Sequence, residues 1–353
     1  MPPAEAGADR STGAWRASPG LSAACRSVRA ERAERTSFPY RERVPDLTLL
    51  TVHAHPDDES SKGPATVARY HAEGIHTVLV TCTGGEEGDV LNPAMDRPGT
   101  RERLAELRRE ELAAAAATIG YDEVAWLGYR DSGMPGSPAN DNPDCFARAP
   151  LDEAVGRLVG VIRRVRPQVV VTYPPDQQGY PHPDHLRVNE VSEAAFDAAG
   201  DPDAYPEAGA AWQPAKLYYV GWSAARMRAM HEAFLAQGLE SPYDDERLAR
   251  MRQAMEEGDR PDDGPEARVD VSGYTEVRRT ALLAHRTQVD PTSRHWFGLP
   301  PEVADRVHPV DEYRLGRSLV AVQPPELDLF AGLRPGPDGV ADAVVAGRRA
   351  GPG

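Results

Sequence analysis

The sequence predicts an α/β fold: a Rossmann-like, mostly parallel sheet with helices on both faces and a smaller, more irregular C-terminal part. Three observations carry this expectation. Short β-branched apolar runs alternate with longer amphipathic stretches from residue 47 to residue 221, as in strand–helix units that wind a parallel sheet. Glycines that stop helices, Gly120 and Gly200, close two of the amphipathic stretches. His and Asp residues cluster directly after two of the apolar runs, where parallel strands present their carboxyl ends to ligands.

Residues 47–53 read as a short buried strand and 63–73 as a helix with Ala65, Val67, Ala68 and Tyr70 on or near one face. Residues 77–82, β-branched and small, form the second strand, and a polar loop follows over 84–97. A helix rich in Glu and Arg, with an alanine run at 113–117, spans about 100–119. Strand 123–127, helix 151–165, strand 168–173, helix 185–199 and strand 216–221 complete the alternation. In the common 3-2-1-4-5 order, the first and fourth strands are neighbours at the switch point. Residues 241–268 are heavily charged and read as a solvated helix and loop. Residues 274–285 look helical, 286–291 leave that helix, and there is no internal repeat.

With 353 residues, 40% hydrophobic and 27% charged, the composition is globular, and no apolar run approaches a membrane span. A net charge of −15 argues against nucleic acid or an anionic membrane as partner, since both reward clustered Lys and Arg. Cys25, Cys82 and Cys145 stand too far apart for a disulfide framework or a zinc knuckle, and a cytoplasmic location is expected. Residues 1–45 lack the apolar core of a secretory signal and read as a flexible tail. The last residues, 331–353, read as equally loose. Residues 46–330 are thus expected to form a single domain, with a core over 47–222 and a C-terminal part over 223–330 that lines the substrate site.

Two polar knots carry the chemistry: Val52-His53-Ala54-His55-Pro56-Asp57-Asp58-Glu59 after the first strand, and Tyr180-Pro181-His182-Pro183-Asp184-His185 after the fourth. A catalytic zinc site takes three ligands from His, Asp or Glu and keeps one position for water. His55 and Asp58, three apart in a turn, can share one metal ion, and His185 can supply the third ligand. Asp57 is then free to act as general base on a water. His182 can stabilise an oxyanion or protonate a leaving amine. Blander readings stand beside these. Strand-end histidines are usually structural, and Asp58 or Ser60 could cap the next helix. His53-x-His55-x-Asp57 also begins the HxHxDH signature of metallo-β-lactamase-like hydrolases, but Asp58 stands where that signature needs His.

At these residues the chain resembles the PIG-L/LmbE-like family of zinc-dependent deacetylases and amidases. The matching pieces are His55-Pro56-Asp57-Asp58-Glu59, Thr83-Gly84-Gly85-Glu86-Glu87-Gly88, Arg108 with Glu111-Leu112, Leu127-Gly128 with Arg130-Asp131-Ser132-Gly133-Met134, and Pro181-His182-Pro183-Asp184-His185. Within the family it is most similar to the mycothiol S-conjugate amidases, through Leu91-Asn92-Pro93-Ala94-Met95-Asp96, Asp144-Cys145-Phe146-Ala147-Arg148 and Ala284-His285-Arg286-Thr287-Gln288-Val289-Asp290-Pro291.

The resemblance implies one Zn2+ per chain on His55, Asp58 and His185, a donor set that also accepts Fe2+ or cobalt, with Asp57 as base. It implies that His182 stabilises the transition state, that Asp184 behind it tunes its orientation and pKa, and that Tyr180 is a mobile residue near the oxyanion. Arg108 and Asp131 would hold the sugar, Glu86 and Glu87 would orient the loop or the sugar with neither preferred, and His285 would line the pocket. The implied reaction is hydrolysis of the cysteinyl–glucosamine amide of a thiol–sugar conjugate, for detoxification or in secondary metabolism. Deacetylation of N-acetylglucosaminyl-inositol or another amino sugar is the alternative, and a non-catalytic sugar-binding protein is the alternative of a different class. Tyr173-Pro174-Pro175-Asp176-Gln177-Gln178-Gly179-Tyr180 replaces the shorter Asp/Asn-Gly-Gly style loop common in the family. That departure bears on the group carried by sulfur and not on hydrolysis itself.

Overall fold

In the computed structural model, residues 47–177, 181–243, 246 and 266–334 are described. Seven strands form one sheet: β1 (Thr48–His53), β2 (His76–Thr83), β3 (Glu123–Tyr129), β4 (Val169–Thr172), β5 (Lys216–Gly221), β6 (Ala267–Asp270) and β7 (Val310–Ser318). Their order is β3-β2-β1-β4-β5-β7-β6. The first five strands are parallel in the expected 3-2-1-4-5 order, with Thr51 of β1 between Leu79 of β2 and Val171 of β4. β1, β2 and β4 are buried almost throughout, which explains their continuous rather than alternating apolar runs. This parallel sheet also removes the β-sandwich that a metallo-β-lactamase-like reading would need.

Helices α2 (Pro64–Ala72), α3 (Leu104–Ile119), α4 (Leu151–Val165), α5 (Pro183–Ala199), α6 (Ala224–Ala236) and α7 (Thr275–Ala284) cover the sheet, with α8 (Arg294–Phe297) and α9 (Pro301–Val307) at the C-terminal side. α2 and α3 pack on α7, and α4 packs on α5, giving the two helix layers of a doubly wound sheet. α4 shows the sequence logic plainly: Ala154, Val155, Leu158, Val159 and Ile162 all lie on its buried side. α3 ends at Gly120, whose φ of 95° lies in the left-handed region. Among the described residues no helix is long and apolar enough to cross a membrane.

β6 and β7 were not legible in the sequence. β7 runs antiparallel to both β5 and β6, and its buried residues include Asp311 and Glu312. Arg278 neutralises Asp311 at 2.8 Å, and Glu312 accepts from the Ser223 hydroxyl and amide at 2.8 and 3.0 Å. Two buried carboxylates hide the hydrophobic pattern that marks a strand. The charged stretch expected to be a solvated helix and loop falls mostly outside the described residues, as do the two tails.

Candidate metal centre and active site

The two knots meet at the carboxyl ends of β1 and β4, as the strand order requires. After β1 the chain turns sharply: Asp57 has φ 123°, and the single-turn helix α1 (Asp58–Ser61) begins at once. Such a φ is uncommon for a residue with a side chain. No side-chain cap forms on this helix or on α2, where Gly63 occupies the cap position at φ 80°. The helix-capping reading of Asp58 and Ser60 therefore fails. Asp58 Oδ2 instead accepts from the His55 amide at 2.9 Å.

Three donors converge there. Asp58 Oδ2 lies 3.4 Å from His55 Nδ1 and 3.5 Å from His185 Nε2. Tetrahedral zinc with ligand bonds of about 2.0–2.1 Å spaces its donors about 3.3 Å apart, close to both separations. The ligand atoms of His55, His182 and His185, and separately those of His55, Asp131 and Asp184, also lie within 4.8 Å of one another. Lys62, four residues after Asp58, pairs with its second oxygen at 2.5 Å. Burial raises the Asp58 pKa, but Lys62 and His185 outweigh it and hold the carboxyl well below its ordinary value. Burial pushes the His185 imidazole down to about 4 against the pull of Asp58, which favours its neutral form. Tyr173 stacks on His185 at 4.4 Å with a 9° tilt.

Around His55 stands a second group of acids. Its Nε2 lies 3.1 Å from Asp184 and 3.5 Å from Asp131. A metal-ligating histidine commonly donates its other ring nitrogen to a carboxylate, which fixes tautomer and ring orientation. Asp184, fully buried, also accepts from the Ser132 amide at 2.9 Å and from the Ser132 hydroxyl. The Asp184 carboxylate thus supports His55 and its charge also acts to raise the His182 pKa, while the Asp184 amide donates to His182 Nδ1 at 3.2 Å. Because Nδ1 accepts, the neutral His182 ring carries its proton on Nε2. Burial, and next His55, lower the His182 pKa. Its ring lies 4.6 Å from that of His55.

Asp57 stays outside the donor set. Its Oδ2 accepts from Arg108 Nη2 at 2.8 Å, and the same guanidinium donates to the carbonyls of Gly85 and Pro56. Burial raises the Asp57 pKa and Arg108 opposes the rise. Gly85, at φ 65°, lets Arg108 through, since a Cβ there would collide with the guanidinium. Arg108, expected to hold sugar, thus touches the cavity while its charge is committed to Asp57. Its partner is not the nearby helix glutamate that a surface pair would use.

The remaining expected residues separate. A cavity of about 740 Å³ is lined by Asp57, Asp58, His182, Arg108, Asp131 and Glu87, among others. Asp131 also accepts from the Gly133 and Glu87 amides at 2.8 and 3.3 Å. Glu87 faces the cavity and pairs with Arg130. Glu86 turns inward and accepts from the Asp131 amide at 3.2 Å, so the two glutamates are not equivalent. His285 does not line the cavity: it is wholly buried and binds Glu59 at 2.6 Å. Glu59 in turn accepts from the Asp57 amide at 2.9 Å, so His285 braces the strained turn from beneath. Tyr180 lies outside the described residues. His53 is a buried strand end, with neither ring nitrogen hydrogen-bonded and burial lowering its pKa to about 4.

Sequence reasoning missed Lys62, Tyr173, Ser132 and Glu59 as parts of the site. Lys62 stands at i+4 from Asp58 on a helical turn, a spacing that favours ion pairs and could have pointed to it. Tyr173 ended a strand beside the second knot. Ser132 and Glu59 gave no local signal beyond the motifs that contain them.

Three comparisons bear on this arrangement. The family profile described as PIG-L: GlcNAc-PI de-N-acetylase matches residues 50–196. A mycothiol S-conjugate amidase of Streptomyces coelicolor is 45% identical over 294 residues, 82% of this chain and 98% of that protein. A 1D-myo-inositol 2-acetamido-2-deoxy-alpha-D-glucopyranoside deacetylase of Geodermatophilus obscurus is 42% identical, over 82% of this chain and 99% of its own length. Among solved structures, the N,N'-diacetylchitobiose deacetylase of Pyrococcus horikoshii shares the fold, with a TM-score of 0.52 and 17% identity, covering 82% of this chain and 88% of that one.

Proposed function

The chain belongs to the PIG-L family of GlcNAc-PI de-N-acetylases, and on that premise we propose that it is a zinc-dependent amidase cleaving the cysteinyl–glucosamine amide of mycothiol S-conjugates. It is a hydrolase of amide carbon–nitrogen bonds, and its His and Asp groups could hold a metal ion. The observation that carries the mechanism is the split within one turn: Asp58 faces His55 and His185, while Asp57 faces Arg108 and the cavity.

His55, Asp58 and His185 would hold a zinc ion, which when bound would supply Lewis acidity and bring the pKa of water toward neutrality. Asp57 takes the proton of the attacking water. Burial raises the Asp57 pKa, and Arg108 opposes that rise by favouring the carboxylate form that a base needs. His182 donates Nε2–H to the oxygen that gains charge as the carbonyl becomes tetrahedral. When the carbon–nitrogen bond breaks, the proton held by Asp57 passes to the leaving amine, which restores the carboxylate. Asp131 and Glu87 meet the sugar hydroxyls as acceptors. The substrate is a small thiol–sugar conjugate handled in the cytoplasm.

The 45% identity to an amidase over nearly its whole length and the three subgroup motifs support the amidase reading. The 42% identity to the inositol-sugar deacetylase favours acetate release as the second reading. Incubating the purified protein with a mycothiol S-conjugate and with N-acetylglucosaminyl-inositol, followed by mass spectrometry of products, separates them. The expected products are a mercapturic acid and glucosaminyl-inositol. Acetate as the sole product overturns the amidase reading.

A further inference from the structure

A second pocket, of about 120 Å³, adjoins the active-site cavity and shares Trp222, Leu282, His295 and Trp296 with it as walls. Its place follows from the strand order. Glu87 and Asp131 lie after β2 and β3, on one side of the crevice between β1 and β4. Trp222 follows β5 directly, on the other side. A substrate whose sugar occupies the first side therefore extends its remaining part toward Trp222.

Arg226, in the first turn of α6, lines this second pocket and is 6% exposed. Its backbone amide is capped by the Ser223 hydroxyl at 3.1 Å. Its guanidinium stacks over Trp222 at 4.5 Å but makes no hydrogen bond among the described residues. The nearest carboxylate, Asp311, stands 3.8 Å away. That carboxylate already accepts from Arg278 at 2.8 Å and from the Thr66 amide and hydroxyl at 3.2 and 3.0 Å. Arg278 also has a buried Nε without a partner. Arg226 and Arg278 thus both face Asp311, with the Glu312 charge also acting on Arg226, and burial together with Arg278 outweighs these acids and lowers the Arg226 pKa to about 10. Of the other acids in the wall, Glu276 lies at the exposed mouth beside Arg279, 3.9 Å away, and Asp305 is half-buried.

A buried guanidinium with its donors open is costly, and its planar fork matches a carboxylate bidentately. Trp222, Trp296, Leu282 and Leu299 give the wall its apolar area, beside polar members that include Arg278, Arg279, Thr275, His295 and His308. A cavity of roughly 150 Å³ holds a benzene ring, so this smaller space suits a short alkyl stem, or a ring that lies partly across the walls shared with the active-site cavity. We propose that the pocket receives the group carried on sulfur, and that Arg226 selects S-substituents ending in a carboxylate on an apolar stem. This rests on the amidase reading and adds to it the class of conjugate.

The test compares two conjugates that differ at one group, the S-(4-carboxybenzyl) conjugate and its neutral methyl ester. The readout is the ratio of their kcat/KM values in the wild type, Arg226→Gln and Arg226→Lys, with a thermal unfolding curve for each protein. The wild type is expected to favour the carboxylate about 10- to 100-fold, the range of a charge-assisted hydrogen bond. Arg226→Gln should bring the ratio near one, and Arg226→Lys should restore part of it. A wild-type ratio near one, or a ratio unchanged in a folded Arg226→Gln protein, overturns the proposal. Where Arg226→Gln shows no cooperative transition, the wild-type and Arg226→Lys ratios decide. Hydrolysis of neither conjugate, with acetate released from the amino sugar, overturns the amidase reading and this one together, a pattern distinct from equal hydrolysis of both.

Discussion

Asp57→Asn separates the base from the ligands. Asn has the same shape, tolerates positive φ better than most residues, and can still accept from Arg108 through its amide oxygen, so the turn at φ 123° is retained. The substitution removes the anion opposite Arg108, whose side chain is 3% exposed against 29% for Asp57. Breaking a fully buried pair costs about 3–5 kcal/mol. Water at the Asp57 side and the carbonyls of Gly85 and Pro56 reduce this to about 1–2 kcal/mol, or a few degrees in Tm. Removing a general base costs about 10²–10⁴ in rate, or roughly 2.7–5.4 kcal/mol of barrier. The expected outcome is a loss of kcat of that size with one metal equivalent retained. The assay is steady-state kinetics with elemental analysis of the same preparation. Loss of metal alongside activity would make Asp57 a ligand, and undiminished kcat would remove it from the chemistry altogether.

Three further outcomes follow from the same geometry. His185→Ala should lose bound metal and turnover together, measured by elemental analysis after dialysis; a full equivalent retained contradicts the three-ligand centre. Arg108→Met should lower kcat by about tenfold or more with KM little changed, because the guanidinium holds the Asp57 carboxylate in place and opposes the rise that burial gives its pKa. A rise confined to KM would instead mark Arg108 as a sugar contact. Asp328 accepts from Tyr70 at 2.8 Å, the Phe330 amide at 3.0 Å and Arg334 at 2.5 Å. Burial raises its pKa but Arg334 and these bonds outweigh it, leaving the carboxyl below its ordinary value. Its stabilisation is therefore full above the unfolded value of about 4 and is lost as pH falls through the folded value. Asp328→Asn should cost about 1–2 kcal/mol at pH 7 and progressively less at pH 3 in urea unfolding of the metal-free protein; an equal difference at both pH values would contradict the pairing.

Much of the site was legible because its parts are local. His55, Asp57 and Asp58 share one turn, His182 and His185 share another, and the alternation of elements places the two turns on adjacent strand ends. What was not legible lies in pairings across long stretches of chain. Arg108 reaches Asp57 over 51 residues, Asp184 reaches His55 over 129, and His285 reaches Glu59 over 226. Motif resemblance marked Arg108, Asp184 and His285 as site residues but named none of these three partners. Glu86 and Glu87, adjacent in sequence, differ only in which way the loop turns them.

The sequence by itself determined the five-stranded parallel core, the meeting of the two knots and the donor types, because period, turn residues and strand order are encoded over short spans. Only the tertiary structure decided which charges pair, that β7 buries carboxylates at the sheet's far side, and that Arg226 stands buried beside Trp222 with its donors open. Such pairings depend on which surfaces are desolvated together, and that is set by the packing of elements far apart in the chain.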